Sequence, residues 1–167
     1  LIAQSVGSGR GASRQYVRRY PEGTLYGHPI GYSFAEQGNS EFEASHNDEL
    51  IGEGSEFTSI LDELRGRKQE GNNIRTNIDS VAQQTAFDLL AGRPGAVIAM
   101  VPSTGEVKAM VSEPPYDPNT IPDDLGPLSN TPGSPLLDRA SQGQYPPGST
   151  FKLVTATAAL DSGSVSA

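Results

Sequence analysis

Apolar residues along this chain recur with a helical period in three places and gather into paired runs in one. Between 80 and 91, Ala82, Ala86, Leu89 and Leu90 fall at i, i+4, i+7 and i+8, which predicts an amphipathic helix. Ser80 followed by Gln83 has the form of a capping box, and Gly92 with Pro94 marks the end. A shorter helix is predicted over 57–64, where Ile60, Leu61 and Leu64 share a stripe and Gly66 stops it. Residues 96–101 and 106–111 are two short apolar runs separated by Pro102-Ser103-Thr104-Gly105. That spacing predicts a β-hairpin with Gly105 at the positive-φ position of the turn.

Breakers define the other segments. Gly71-Asn72-Asn73 reads as a turn. Prolines at 114, 115, 118, 122, 127, 132, 135, 146 and 147 make 113–148 a long, loop-rich crossing. Pro147-Gly148 then opens a last helix from Ser149 to about Leu160, with Thr150, Leu153, Val154, Thr157 and Ala158 at helical spacing. The sharper patterning begins near Arg75, so a domain boundary is placed there. Helices and a hairpin without βαβ repetition give an α+β fold class.

Composition narrows the chemistry. The 167 residues suffice for one ordinary domain, or for a small domain and part of another. Hydrophobic residues at 35% together with 19 glycines can supply a core. The absence of cysteine excludes disulfide scaffolds, thiol catalysis and iron–sulfur or cysteine–zinc centres. His28 and His46 lack metal-ligand spacing and read as surface or packing residues, so neither metal nor cofactor is expected. A balance of 12 basic against 20 acidic side chains, net −8, argues against nucleic acid as a partner. Four arginines in the first twenty residues precede ten acids between Glu22 and Glu63, which predicts basic–acidic pairing between neighbouring elements. The longest apolar stretch, 95–101, falls far short of the ~20 residues that cross a bilayer. The chain begins at Leu1, with methionine only at 100 and 110, so a processed chain or a fragment is expected.

One nucleotide-binding pattern is a decoy. Gly7-Ser8-Gly9-Arg10-Gly11-Ala12 matches a G-x-G-x-x-A fingerprint, and Leu1-Ile2-Ala3 before it has strand character. The fingerprint requires a helix to follow, and residues 13–20 have no apolar helix face. A loop is the better reading.

The candidate chemistry lies in Pro146-Pro147-Gly148-Ser149-Thr150-Phe151-Lys152. Three residues apart at a helix start, Ser149 and Lys152 lie on one face with ~5–6 Å between Cβ atoms. A serine hydroxyl is a poor nucleophile until a neighbouring base removes its proton. A lysine serves as that base only as the free amine, a form favoured by desolvation and nearby positive charge. The helix N-terminus adds positive potential and free N–H groups that can hold an oxyanion. Gly148 keeps space clear beside Ser149.

The surrounding sequence resembles the penicillin-binding proteins. Arg75-Thr76-Asn77-Ile78-Asp79, Gln84 and Gly95-Ala96-Val97-Ile98-Ala99-Met100 look like the opening of their transpeptidase domain. Ser103-Thr104-Gly105-Glu106-Val107, Ala109-Met110-Val111-Ser112 and Pro115-Tyr116-Asp117-Pro118-Asn119 continue the pattern. Pro147-Gly148-Ser149-Thr150-Phe151-Lys152 then falls where the family keeps its acylated serine. Arg19-Tyr20-Pro21, Gly23, His28 and Gly31-Tyr32 resemble the non-catalytic pedestal of class B members.

The resemblance implies a pedestal, of dimerisation type, over 1–75 and the N-terminal part of a transpeptidase domain, a serine β-lactamase-like α/β sandwich, over 76–167. It implies a peptidoglycan D,D-transpeptidase, membrane-anchored on the extracytoplasmic (periplasmic) face and active in cell-wall synthesis for division or cell shape. Stem peptides and β-lactams are the implied partners, with other cell-wall synthesis or division proteins beside them. Ser149 would be the nucleophile that forms the acyl-enzyme, Lys152 its general base, and the Ser149 N–H half of the oxyanion hole. The motif set also requires S-x-N and K-T-G elements after the S-x-x-K helix. Ser45-His46-Asn47 and Ser103-Thr104-Gly105 imitate them by letters but precede Ser149. The 167 residues alone are therefore expected to be inactive, truncated after the nucleophile helix, with the anchor upstream of Leu1. The alternative functions are a scaffold module of the cell-wall machinery and a β-lactam sensor.

Overall fold

The computed structural model describes residues 1–8, 15–52 and 71–165. Strands β1 (Gln4–Ser8) and β2 (Gln15–Arg19) pair antiparallel, with Val6 opposite Val17. A 3₁₀ turn at Gly23–Leu25 leads into helix α1 (Gly27–Ile30). A two-residue ladder of β3 (Ser33–Phe34) and β4 (Gly38–Asn39) is followed by short helices α2 (Glu41–Ser45) and α3 (Asn47–Ile51). The second half holds helix α4 (Ser80–Leu90), strands β5 (Gly95–Met100) and β6 (Val107–Glu113), and helices α5 (Ile121–Ser129) and α6 (Phe151–Asp161).

The β5–β6 hairpin forms where the paired apolar runs place it, with Ile98 opposite Met110 and Gly105 at φ 77°. Its second strand runs two residues past the predicted end, because Ser112 and Glu113 are polar yet buried. The Ser112 hydroxyl donates to the Leu137 carbonyl at 3.2 Å and accepts from the Arg139 N–H at 2.9 Å. A hydrophobicity pattern ends a strand at its last apolar residue; this one continues because a loop satisfies its hydroxyl.

Helix α4 also forms, but its cap and its buried face differ from the prediction. Asp79, not Ser80, is the N-cap: one carboxylate oxygen accepts from the N–H groups of Val81 and Ala82, each at 2.9 Å. The predicted partner Gln83 is wholly buried and turned inward. Burying that amide rotates the helix, so Gln83, Ala86 and Leu90 face inward while Leu89 is 68% exposed. Ala91, in the left-handed conformation, is the C-cap ahead of Gly92.

Other expectations are revised. The crossing from 113 to 148 contains α5, which Pro122 does not oppose because a first-turn proline lacks only an N–H with no intrahelical partner. Pro127 sits further inside the same helix. The last helix opens as a 3₁₀ turn at Gly148–Thr150 before α6 begins at Phe151. Gly71–Asn73 is irregular chain, not a turn, and the Asn72 N–H donates to the Glu49 carbonyl at 3.0 Å. Strand β1 starts at Gln4, after Leu1-Ile2-Ala3. Gly7 and Ser8 belong to β1 and not to the expected loop, and residues 15–19, where the fingerprint needs a helix, form the strand that pairs with it. The helix predicted over 57–64 lies outside the described residues.

Among the described residues, two small apolar clusters form the core. Tyr20, Tyr26 and Ile30 gather Leu25, Phe34 and Ile78; Ala86, Ala109 and Val111 gather Phe87, Leu90 and Val97. Gln83 bridges them, its amide donating to the carbonyls of Leu25 (2.9 Å) and Met110 (2.8 Å) and accepting from the Met110 N–H (2.8 Å). The Arg18–Glu43 ion pair, at 2.7 Å with Glu43 buried, is a basic–acidic contact of the kind the charge blocks predict. No helix among the described residues is long and apolar enough to cross a membrane.

Candidate active site

The path to Ser149 starts at the buried end of β6. The chain turns through a cis Glu113–Pro114 bond, and its next residues lock onto the first half of the molecule. The Pro114 carbonyl meets His28 Nε2 at 3.1 Å, and the Tyr116 hydroxyl donates to the Gly27 carbonyl at 3.0 Å. His28 is buried and packs edge-on against Tyr116, with ring centroids 5.1 Å apart. Burial pushes the imidazole below its ordinary value, against the Pro114 contact and the Asp138 charge. His28 is thus a packing residue; His46 stacks on Phe42 with centroids 4.0 Å apart.

Beyond α5, Asp138 anchors the approach. It is fully buried, and its carboxylate accepts from the Ala140 N–H (2.9 Å) and the Ser141 hydroxyl (2.6 Å). Arg139 ties the preceding loop together by donating to the carbonyls of Gly133, Ser134 and Leu137. The side-chain amide of Gln142 then donates to Glu41 Oε1 at 2.8 Å.

Gly148 carries φ 54°, a conformation that L side chains rarely adopt, and a Cβ added there would meet nothing within 4 Å. What the structure shows at Gly148 is a backbone requirement for glycine. After the left-handed Gly148, Thr150 and Phe151 hold right-handed helical angles, so the 3₁₀ turn passes into α6 without a break. Ser149 and Lys152 lie three residues apart on that continuous winding. The Thr150 hydroxyl donates back to the Pro147 carbonyl and tightens the turn.

Both Ser149 and Lys152 are exposed. Among the described residues, neither side chain has a hydrogen-bond partner, and nothing desolvates them. Around them α6 presents Phe151, Leu153, Val154 and Leu160 to the surface, with Leu153 at 74% exposure. The winding that would set a nucleophile beside a base is present; the walls that would exclude water from it are not among these residues.

Sequence spacing pointed to Ser149 and Lys152 as candidates and missed Asp138, Glu41 and Gln142, which hold the segment before them, and the bridging Gln83. Only Gln83 left a signal, as a polar residue within an apolar helical stripe.

Comparison with known proteins agrees with this architecture. The penicillin binding protein A dimerisation domain family matches residues 1–74, and the penicillin binding protein transpeptidase domain family matches 95–167. The peptidoglycan D,D-transpeptidase PbpA of Mycolicibacterium smegmatis is 36% identical over 98% of this chain and 36% of its own length. MrdA of Escherichia coli K12, also a peptidoglycan D,D-transpeptidase, is 36% identical over 88% of this chain and 21% of its own. Penicillin-binding protein A of M. tuberculosis, solved as a penicillin G acyl-enzyme complex, superposes with a TM-score of 0.83 at 34% identity, covering 98% of this chain and 40% of that one. The chain therefore spans about a third of the length of PbpA, and its described residues have a mixed helix and strand fold like that of the solved relative. It belongs to the penicillin-binding proteins, of the kind that set a dimerisation domain ahead of a transpeptidase domain.

Proposed function

We propose that the protein containing these residues is a peptidoglycan D,D-transpeptidase, with Ser149 as its nucleophile and Lys152 as its general base. Residues 1–75 form the pedestal, and the catalytic domain begins near residue 76. The observation that carries the reading is the unbroken winding that sets Ser149 and Lys152 on one face at the opening of α6, inside the segment matched by the transpeptidase domain.

In the reaction Ser149 Oγ attacks the penultimate D-Ala carbonyl of a stem peptide while Lys152 Nζ takes the hydroxyl proton. The backbone N–H of Ser149 supplies one donor to the oxyanion. Collapse of the tetrahedral species breaks the peptide bond, and the terminal D-Ala leaves with a proton. The acyl-serine is then attacked by an amine of a second stem peptide, which forms the cross-link and restores the serine. A β-lactam presents its strained amide to the same oxygen and remains attached. The substrate places the catalytic domain on the extracytoplasmic face of the cell membrane.

The test is labelling of the full-length protein with a fluorescent penicillin. Covalent label that disappears in Ser149→Ala is expected; label that persists there would remove Ser149 as the nucleophile.

A further inference from the structure

Between Asp138 and Ser149 the chain loses its attachments to the rest of the molecule. Asp138 and Arg139 are held by hydrogen bonds to backbone and side chains of β6 and the loops beside it. From Gly143 to Pro147 the only hydrogen bonds among the described residues are those from Thr150, in the 3₁₀ turn that follows, to the Pro147 carbonyl. The Gln142 amide on Glu41 is therefore the last long-range tie among the described residues before the nucleophile, and it spans 101 positions of sequence.

Glu41 is an unusual partner. It adopts φ 49°, a left-handed conformation uncommon for a residue with a Cβ and more often kept where a particular side-chain direction is needed. The residue before it is pinned: the Ser40 hydroxyl accepts from the Tyr32 N–H at 3.1 Å, and the Ser40 N–H donates to the Tyr32 carbonyl at 2.9 Å. Two residues further along α2, about 200° around the helix, buried Glu43 is gripped by Arg18. α2 is thus fixed before and after Glu41, and the strained residue between those points aims its carboxylate at the approach to Ser149. Burial and the Asp138 charge push the Glu41 carboxyl above its ordinary value, while the Gln142 amide opposes the shift. The three groups lie close together.

We infer that Gln142, held by Glu41, is a positioning residue for Ser149: the clip fixes the approach segment so that the serine meets the substrate carbonyl in a reactive orientation. The inference rests on Ser149 being the nucleophile. The clip sits seven residues upstream of Ser149, and its effect is expected on the chemical step, through the orientation of the serine. Gln142 is itself exposed, so removing its side chain leaves the core intact.

The experiment follows acylation of the full-length protein over a range of fluorescent penicillin concentrations. In Gln142→Ala the limiting acylation rate should fall about tenfold, as a lost hydrogen bond and a displaced nucleophile together imply. Half-saturating concentration and melting temperature should stay at wild-type values. Gln142→Glu alone should slow the step similarly, since it sets two carboxylates, both acceptors, against each other. Glu41→Gln combined with Gln142→Glu, which restores an amide–carboxylate pair in reverse, should recover most of the rate. Hydrogen exchange at the Gly143–Ser149 amides should quicken in Gln142→Ala. A wild-type limiting rate in Gln142→Ala, no recovery in the reversed pair, or unchanged exchange would each overturn the inference. Ser149→Ala separates the two failures: label lost there with Gln142→Ala unaffected sinks only the clip, whereas label retained in Ser149→Ala sinks both.

Discussion

The side chain of Asn119 brackets the backbone of Tyr20, accepting from its N–H at 3.0 Å and donating to its carbonyl at 2.9 Å. A carboxamide here does what a neighbouring strand would do, for a residue 99 positions away. Asn119 is itself oriented by Asp117, whose Oδ1 accepts from both its backbone and side-chain N–H groups. This pair, with Tyr116 on Gly27 and His28 on Pro114, fastens the first half of the chain to the segment that leaves β6.

Asn119→Ala should therefore destabilise the protein. Tyr20 is buried, so its N–H would lose its partner, while its carbonyl would keep only the bond from the Gly23 N–H at 3.1 Å. At ~1–3 kcal/mol for an orphaned group, a loss of about 1–3 kcal/mol is expected. Urea unfolding of wild type and variant measures it; a change below half a kcal/mol would mean that Tyr20 finds other partners.

Gln83 offers a sharper case, because it satisfies three backbone groups while itself fully buried. Replacing it by leucine keeps the volume and adds apolar surface, which in a simple core would be neutral. Here the Met110 N–H and the carbonyls of Leu25 and Met110 would be stranded, and a loss of about 3 kcal/mol is expected. Exchange at the Met110 amide should accelerate as well. A stable Gln83→Leu variant with a protected Met110 would refute the bridging role.

These pairs show where sequence reading stops. The β5–β6 hairpin and α4 were legible because their signals are local and periodic. Helix α5 was hidden by Pro122 and Pro127, which weigh against a helix unless their positions within it are known. The S-x-x-K spacing was legible for the same reason as the hairpin. The exposure of Ser149 and Lys152, and the Glu41–Gln142 clip, were not, since contacts across such separations leave no pattern in any window of sequence.

Two buried groups give stability a pH dependence of opposite signs. Burial lowers the His28 value below 6.5, so its contribution is present above pH 6.5 and is lost as pH falls through that value toward the folded one. Burial raises Glu113 above 4.5, and one of its oxygens has no hydrogen-bond partner among the described residues. Its contribution is full below pH 4.5 and is lost as pH rises through the folded value. Glu113→Gln cannot ionise, so its stability relative to wild type should rise as pH increases above 4.5. Urea unfolding across pH 4 to 8 reads the difference; a flat difference would show that Glu113 ionises in the folded protein as easily as in the unfolded one.

The role of Lys152 can be divided between its charge and its basicity. If it acts only as a cation that steadies the oxyanion, arginine at the same place should support most of the activity. If it removes the Ser149 proton, arginine should fail, because a guanidinium is not deprotonated in proteins. The proposed base role therefore predicts that Lys152→Arg and Lys152→Ala both lose penicillin acylation by about 10²–10⁴-fold. Neither substitution should lower the melting temperature, since the side chain is exposed and makes no hydrogen bond among the described residues. Acylation by Lys152→Arg within tenfold of wild type would assign Lys152 an electrostatic part and leave Ser149 in need of another base.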